Sequence, residues 1–145
     1  MISQTATVLI MAAGTGGHVF PALAIAEVLQ GKAANVHWLG TPKGMENELL
    51  KGTEIPLHKI SISGLVGTGI KRKLLAPIML LSAFIQSVKV LRLVKPDCVL
   101  GMGGFVCCPA GLAAKLLRKP LLIHEQNAVA GLTNNLLSRL ANRTL

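Results

Sequence analysis

The chain has 145 residues, the length of one domain, and about half of them are apolar, enough for a full core. Its formal net charge is +9, from 15 basic and 6 acidic residues. That surplus calls for an anionic partner: nucleic acid, an anionic membrane surface or a phosphorylated substrate. With no Tyr, one Trp (Trp38) and three Phe, a base-stacking platform is nearly absent, so no nucleic-acid partner is expected.

Ala6 to Ala12 (ATVLIMA) reads as a buried strand closed by glycines. No positive charge precedes its apolar run, and the run is too short for a signal peptide. Pro21 to Gln30 reads as a helix, with Pro21 near its first turn and Gly31 past its end. Asn35 to Leu39 is a second strand, Gly44 to Lys51 a short helix, and Ile55 to Ile62 a third strand. Ser63 to Gly69 (SGLVGTG) reads as a flexible loop. Lys71 to Val94 is a long helix, bent by Pro77. Its uncharged stretch, Leu74 to Val88, falls short of the roughly 20 residues of a spanning helix, so no transmembrane segment is expected. Asp97 to Met102 is a fourth strand, Pro109 to Leu117 a helix, Leu121 to His124 a fifth strand and Gly131 to Ala141 a helix. Arg143 to Leu145 begins one more strand, where the sequence stops.

Strands alternating with helices predict an α/β fold, a doubly wound, Rossmann-like parallel sheet. In the order 3-2-1-4-5, strands one and four are neighbours whose connections leave in opposite directions, and ligands bind at that switch point. Strand one ends in Gly14-Thr15-Gly16-Gly17-His18 and strand four in Gly101-Met102-Gly103-Gly104-Phe105. Glycine permits positive φ and close approach of backbone to ligand, and the helix N-termini that follow offer free amides. Together the loops suit a diphosphate; taken singly, each is also a plain tight turn. Neither is G-x-G-x-x-G and no Walker lysine follows, so a nicotinamide or ATP site is not expected.

His18, where the first loop meets its helix, is either a general base for a hydroxyl or a structural histidine bonded to backbone. His37 and His58 fall within strands and read as surface residues or as satisfied by hydrogen bonds. Strand five ends in His124-Glu125-Gln126-Asn127, which either meet sugar hydroxyls, order the first loop or cap the next helix. Cys98, Cys107 and Cys108 show no zinc spacing and read as reduced, buried thiols of a cytosolic protein; no metal site is expected.

At about 100° per residue, Leu74, Ile78, Leu81, Ile85 and Val88 of the long helix form one apolar stripe, predicted to face the sheet. Leu75 and Met79 then point to solvent beside Lys71, Arg72 and Lys73. That patch suits either shallow insertion into an anionic membrane or a second packing surface.

Ala13 to Pro21 (AGTGGHVFP), Gly101 to Val106 (GMGGFV), His124 to Asn127 (HEQN) with Gly131 to Asn134 (GLTN), Trp38-Leu39-Gly40 and Ile62 to Leu65 occur in order along the chain. Together they resemble the N-terminal half of the MurG family, peripheral membrane N-acetylglucosaminyltransferases that convert lipid I to lipid II in bacterial peptidoglycan synthesis. The resemblance implies a GT-B glycosyltransferase at the cytoplasmic face of the inner membrane. Residues 1–145 would be its acceptor-binding, membrane-associating domain, and a donor-binding domain lies outside this sequence. By the same resemblance His18 is the base on the C4 hydroxyl of the muramyl sugar. Thr15, Gly16, Gly17 and Asn127 contact UDP-N-acetylglucosamine. Gly14, Gly103 and Gly104 help hold the acceptor diphosphate, and Glu125 belongs to the same substrate-binding rim. No metal or other cofactor is implied. Ala13, Phe105 and the Cys107-Cys108 pair depart from the family's usual Gly, Tyr and Ser-Gly, which leaves any polar contact from the second turn in question. The chain alone is expected to be inactive. The alternative is a stand-alone membrane module that binds a lipid-linked sugar and recruits a separate donor-binding subunit.

Overall fold

The computed structural model describes residues 5–62, 70–127 and 131–145, with 70–73 as backbone alone. The loop expected over Ser63–Gly69 lies outside the described residues, as do the side chains of Lys71, Arg72 and Lys73.

Among the described residues, six strands form one parallel sheet: β1 (Thr7–Ala12), β2 (Asn35–Gly40), β3 (Leu57–Lys59), β4 (Cys98–Gly103), β5 (Leu121–Ile123) and β6 (Arg143–Thr144). Their order is β3-β2-β1-β4-β5-β6, the expected order with β6 added outside β5. The described helices between them are α1 (Gly16–Gly31), α2 (Glu46–Leu49), α3 (Ile70–Val94), α4 (Cys107–Leu116) and α5 (Leu132–Ser138). Because alternate residues of a strand point to opposite faces, β1 feeds two cores. Val8, Ile10 and Ala12 pack with Trp38 and with Val19, Ala22 and Ala26 of α1. Leu9 and Met11 pack with Leu39, Val99 and the α3, α4 and α5 side, including Ala83, Leu91, Ala113 and Leu137.

Three expectations need correction. First, α1 starts at Gly16 rather than Pro21, so the first glycine loop is itself the helix N-terminus. Pro21 then falls inside the helix, where its missing N–H leaves the carbonyl of Gly17 without its usual partner four residues on. Second, the third strand shrinks to Leu57–Lys59. Third, the apolar stripe of α3 faces the wrong way. Leu74 is 71% exposed, Ile78 65%, Leu81 59% and Ile85 48%. Only Val88 of the five packs against the core. The buried side carries Leu80, Ala83, Phe84, Ser87 and Leu91. Small Ala83 and Ser87 let α3 settle against α4, and the Ser87 hydroxyl is satisfied by donating to the Ala83 carbonyl at 2.7 Å. Leu75 is exposed as expected, whereas Met79 turns into a groove at the rim of the sheet.

By length and composition the 21 residues Leu74–Val94 would suffice to cross a membrane, with mean hydropathy 1.9, contrary to the reading from the uncharged stretch alone. In the fold this helix is the crossover between β3 and β4 of one sheet, packed along one side.

Candidate functional site

The site grows from the carboxyl ends of β1 and β4. Ala13 is buried and Gly14 turns the chain with φ +98°, in open space. Thr15 stands at the N-cap of α1 with extended backbone, yet its hydroxyl makes no capping bond. The amides of Gly16 and Gly17 lie in the first turn and have no intrahelical acceptor. His18 N and Val19 N both donate to the Thr15 carbonyl, so the helix is closed only from that point on.

On β4 the pairing with β1 slips by one residue: Met11 opposes Gly101, and Ala12 opposes Gly103. Met102 is the extra residue, and such a bulge frees its backbone from the ladder. Gly103 and Gly104 then take φ of +121° and +91°. A Cβ on Gly104 would collide with the Ala13 carbonyl, and one on Gly103 would collide with the His18 ring. The two loops therefore touch, and glycine is needed at both places by conformation and by space.

His18 is half-buried between them. Its Nδ1 lies 3.1 Å from the Met102 carbonyl and 2.9 Å from Gln126 Nε2. Gln126 Nε2 also donates to the Gly17 carbonyl at 2.7 Å and reaches the Met102 carbonyl at 3.3 Å. Among the described residues Nε2 of His18 has no hydrogen-bond partner. A cavity of about 390 Å³ opens here, lined by Gly14, Thr15, His18, Gly103, Gly104 and, from α5, Asn134 among others. A second groove of about 560 Å³ adjoins it across Ala13, Gly14 and Phe105, with Thr41, Lys43, Ser61 and Met79 on its walls.

Glu125 organises the rim of the cavity through its hydrogen bonds. One carboxylate oxygen accepts from the Asn127 amide and side chain, at 2.9 and 2.8 Å. The other accepts from Gly131 N at 3.1 Å and Asn134 Nδ2 at 3.0 Å. Burial by itself would raise the Glu125 carboxyl, but these hydrogen bonds from Asn127, Asn134 and Gly131 outweigh it and hold it below the usual range. Both oxygens are thus engaged, which fits the capping alternative for this residue. Asn127 is exposed, with its position set by Glu125.

The thiol of Cys107 is buried in the second loop, where it accepts from Gly103 N at 3.3 Å and lies 3.3 Å from the Met11 carbonyl. Burial pushes it up to about 12, so it stays a thiol and pins the turn. Cys98 and Cys108 are only half-buried, against the expectation of burial; all three are unpaired. Away from the site, His37 and His58 stack across β2 and β3 with Nδ1 and Nε2 at 3.0 Å, satisfying one another as expected. Among the described residues no cluster of His, Cys, Asp or Glu is suited to a metal ion.

Gly14, Thr15, Gly16, Gly17, His18, Gly103 and Gly104 thus come together, with Asn127 and Glu125 on the adjoining rim. Leu75 does not join them, and Met79 does so from the groove side. Of the alternatives open for His124 to Asn127, Gln126 takes that of ordering the first loop. Pro21 orphans the carbonyl that Gln126 fills, a signal that can be read only once α1 is seen to start at Gly16.

The family model for the glycosyltransferase family 28 N-terminal domain matches residues 8–145. A curated relative from Pseudomonas syringae pv. tomato, a UDP-N-acetylglucosamine–N-acetylmuramyl-(pentapeptide) pyrophosphoryl-undecaprenol N-acetylglucosamine transferase, is 58% identical over 138 residues, 95% of this chain and 39% of its own length. A relative of the same name from Cellvibrio japonicus is 54% identical over 142 residues, 98% of this chain and again 39% of its own. The crystal structure of Acinetobacter baumannii MurG superposes with a TM-score of 0.85 at 54% identity, covering 96% of this chain and 40% of that one. The chain spans about two fifths of the length of these relatives.

Proposed function

We propose that this chain, which belongs to the glycosyltransferase family 28 N-terminal domain family, supplies the acceptor side of N-acetylglucosamine transfer from UDP-N-acetylglucosamine to undecaprenyl-diphospho-N-acetylmuramoyl-pentapeptide. The observation that carries the reading is His18 held between two touching glycine turns, with Nε2 free and the α1 amides beside it. A diphosphate needs such amides, because each offers a fixed donor and the helix end adds partial positive charge.

In the reaction, Nε2 of His18 takes the proton of the muramyl C4 hydroxyl. The freed oxygen attacks the anomeric carbon of N-acetylglucosamine as the bond to the UDP oxygen breaks, inverting that centre. UDP departs with the bonding pair. The glycine loops hold the acceptor diphosphate, and Thr15, Gly16, Gly17 and Asn127 reach the donor, whose larger share of contacts belongs to a second domain. Glu125 serves by fixing Asn127.

The exposed side of α3 supports a membrane role with different residues from those first expected. Leu74, Ile78, Leu81 and Ile85 share one arc of the helix with the exposed Lys89 and Arg92. Apolar side chains flanked by basic ones suit shallow insertion into an anionic leaflet, at the cytoplasmic face of the inner membrane where the acceptor's headgroup lies.

Transfer of labelled N-acetylglucosamine to lipid I by this chain joined to a donor-binding half tests the reading. His18→Ala should lower turnover about 100-fold or more, the range for loss of a general base, and leave lipid I binding nearly unchanged. Undiminished turnover in that variant would remove the base assignment.

A further inference from the structure

Among the described residues, Gln126 is the side chain that hydrogen-bonds to both glycine loops and lies against the histidine at once. Two carbonyls in the site lack their regular partners for separate reasons. Gly17 lost its helical donor to Pro21, and Met102 lies at the bulge of β4. The Gln126 amide nitrogen reaches both, at 2.7 and 3.3 Å. Its oxygen lies 3.4 Å from His124 Nδ1, which orients the amide with nitrogen toward the loops.

Hydrogen-bond counting then fixes the His18 ring. Carbonyls only accept, and the amide nitrogen has two protons. If those protons go to Gly17 and Met102, and His18 Nδ1–H also donates to Met102, three bonds form, with the two donor nitrogens 2.9 Å apart on one carbonyl oxygen. If Nδ1 instead accepts from Gln126, two bonds form and the Met102 carbonyl faces a lone pair at 3.1 Å. The first pattern satisfies more groups. It puts the proton on Nδ1 and the lone pair on Nε2, the form a base requires.

The geometry assigns Gln126 as a positioning residue: by bridging the Gly17 and Met102 carbonyls it locks the two glycine turns together and holds His18 with Nδ1–H on Met102 and Nε2 free. Its catalytic consequence rests on the proposed role of His18; its structural content does not.

The test has two arms. In the 145-residue chain, nitrogen-15 NMR of the His18 imidazole should report the Nδ1–H tautomer. Gln126→Met, which keeps the size, and Gln126→Glu, which replaces the donors by an acceptor, should both shift it toward the Nε2–H form that free imidazole prefers. In the chain joined to a donor-binding half, both variants should lower kcat by about 100-fold, as a misplaced base does, while KM for UDP-N-acetylglucosamine moves less than about 2-fold. Pro21→Ala restores a helical donor to Gly17, so Gln126→Met should lower the melting temperature less in that background, which also carries the spectrum if the single variant is too unstable. An unchanged His18 tautomer in both variants overturns the inference and leaves the proposed reaction standing. Full turnover in His18→Ala with the tautomer shift intact sinks the base and leaves the Gln126 bridge standing.

Discussion

Replacing Gly104 by alanine tests most simply whether the two turns touch. Gly104 has φ +91°, and its missing Cβ points at the Ala13 carbonyl. Two costs combine. An L-residue at this φ costs roughly 1–3 kcal/mol in backbone strain. The collision is with backbone, which has no rotamer to escape into, and forced overpacking of this kind adds roughly another 1–3 kcal/mol. Gly14→Ala and Gly52→Ala are the controls. Both glycines have positive φ, +98° and +81°, but nothing within 4 Å of the added methyl group, so only the strain remains. For a chain of this size 1 kcal/mol shifts the melting temperature by about 3 °C. Gly104→Ala should therefore melt about 3–9 °C below either control by calorimetry or circular dichroism. Gly103→Ala should fall between, because the group it meets is a side chain, the His18 ring, which can be displaced where backbone cannot, and it should perturb the His18 resonances most. Equal melting temperatures for Gly104→Ala and the two controls would refute the contact between loops.

Leu74→Glu with Ile78→Glu and Leu81→Glu should release the chain from anionic liposomes without lowering its melting temperature, since all three positions are exposed; unchanged sedimentation refutes the membrane face. Burial lowers His37 and His58, and the charge of His37 lowers His58 further. Below the ordinary value of 6.5 the unfolded chain therefore takes up protons that the folded chain resists, so the urea midpoint should fall as the pH drops from 7 toward the lowered values. His37→Gln with His58→Gln should flatten that slope, and a wild-type slope in the double variant contradicts it. At pH 8 a thiol reagent should modify Cys98 and Cys108 in the folded chain but Cys107 only on unfolding, because burial keeps that thiol protonated up to about 12; equal rates at all three would contradict its placement.

Much of this was legible in the sequence. The apolar run Val8–Ala12 and the alternation of strands with helices pointed to a doubly wound sheet, and the order 3-2-1-4-5, one of the few that parallel strands and right-handed crossovers allow, brings together the glycine loops closing β1 and β4. The start of α1 was not legible. Gly16 and Gly17 are poor helix formers and Pro21 mimics a first-turn proline, so local propensity pointed five residues too late. The facing of α3 was not legible either. Periodicity finds the most apolar stripe, but a stripe left on the surface can be as apolar as a core, and here the core takes the side with small Ala83 and Ser87. Gln126 needed the bulge at Met102, which depends on pairing between residues far apart in sequence.

The most direct test is amide shift mapping of the chain with a soluble, short-prenyl analogue of lipid I. The amides of Gly14 to His18 and of Gly103 to Val106 should move together and saturate at one dissociation constant, with Gly104→Ala abolishing both sets. Shifts confined to one loop, or to the amino ends of the strands around Thr7 and Asn35, would contradict a shared diphosphate site.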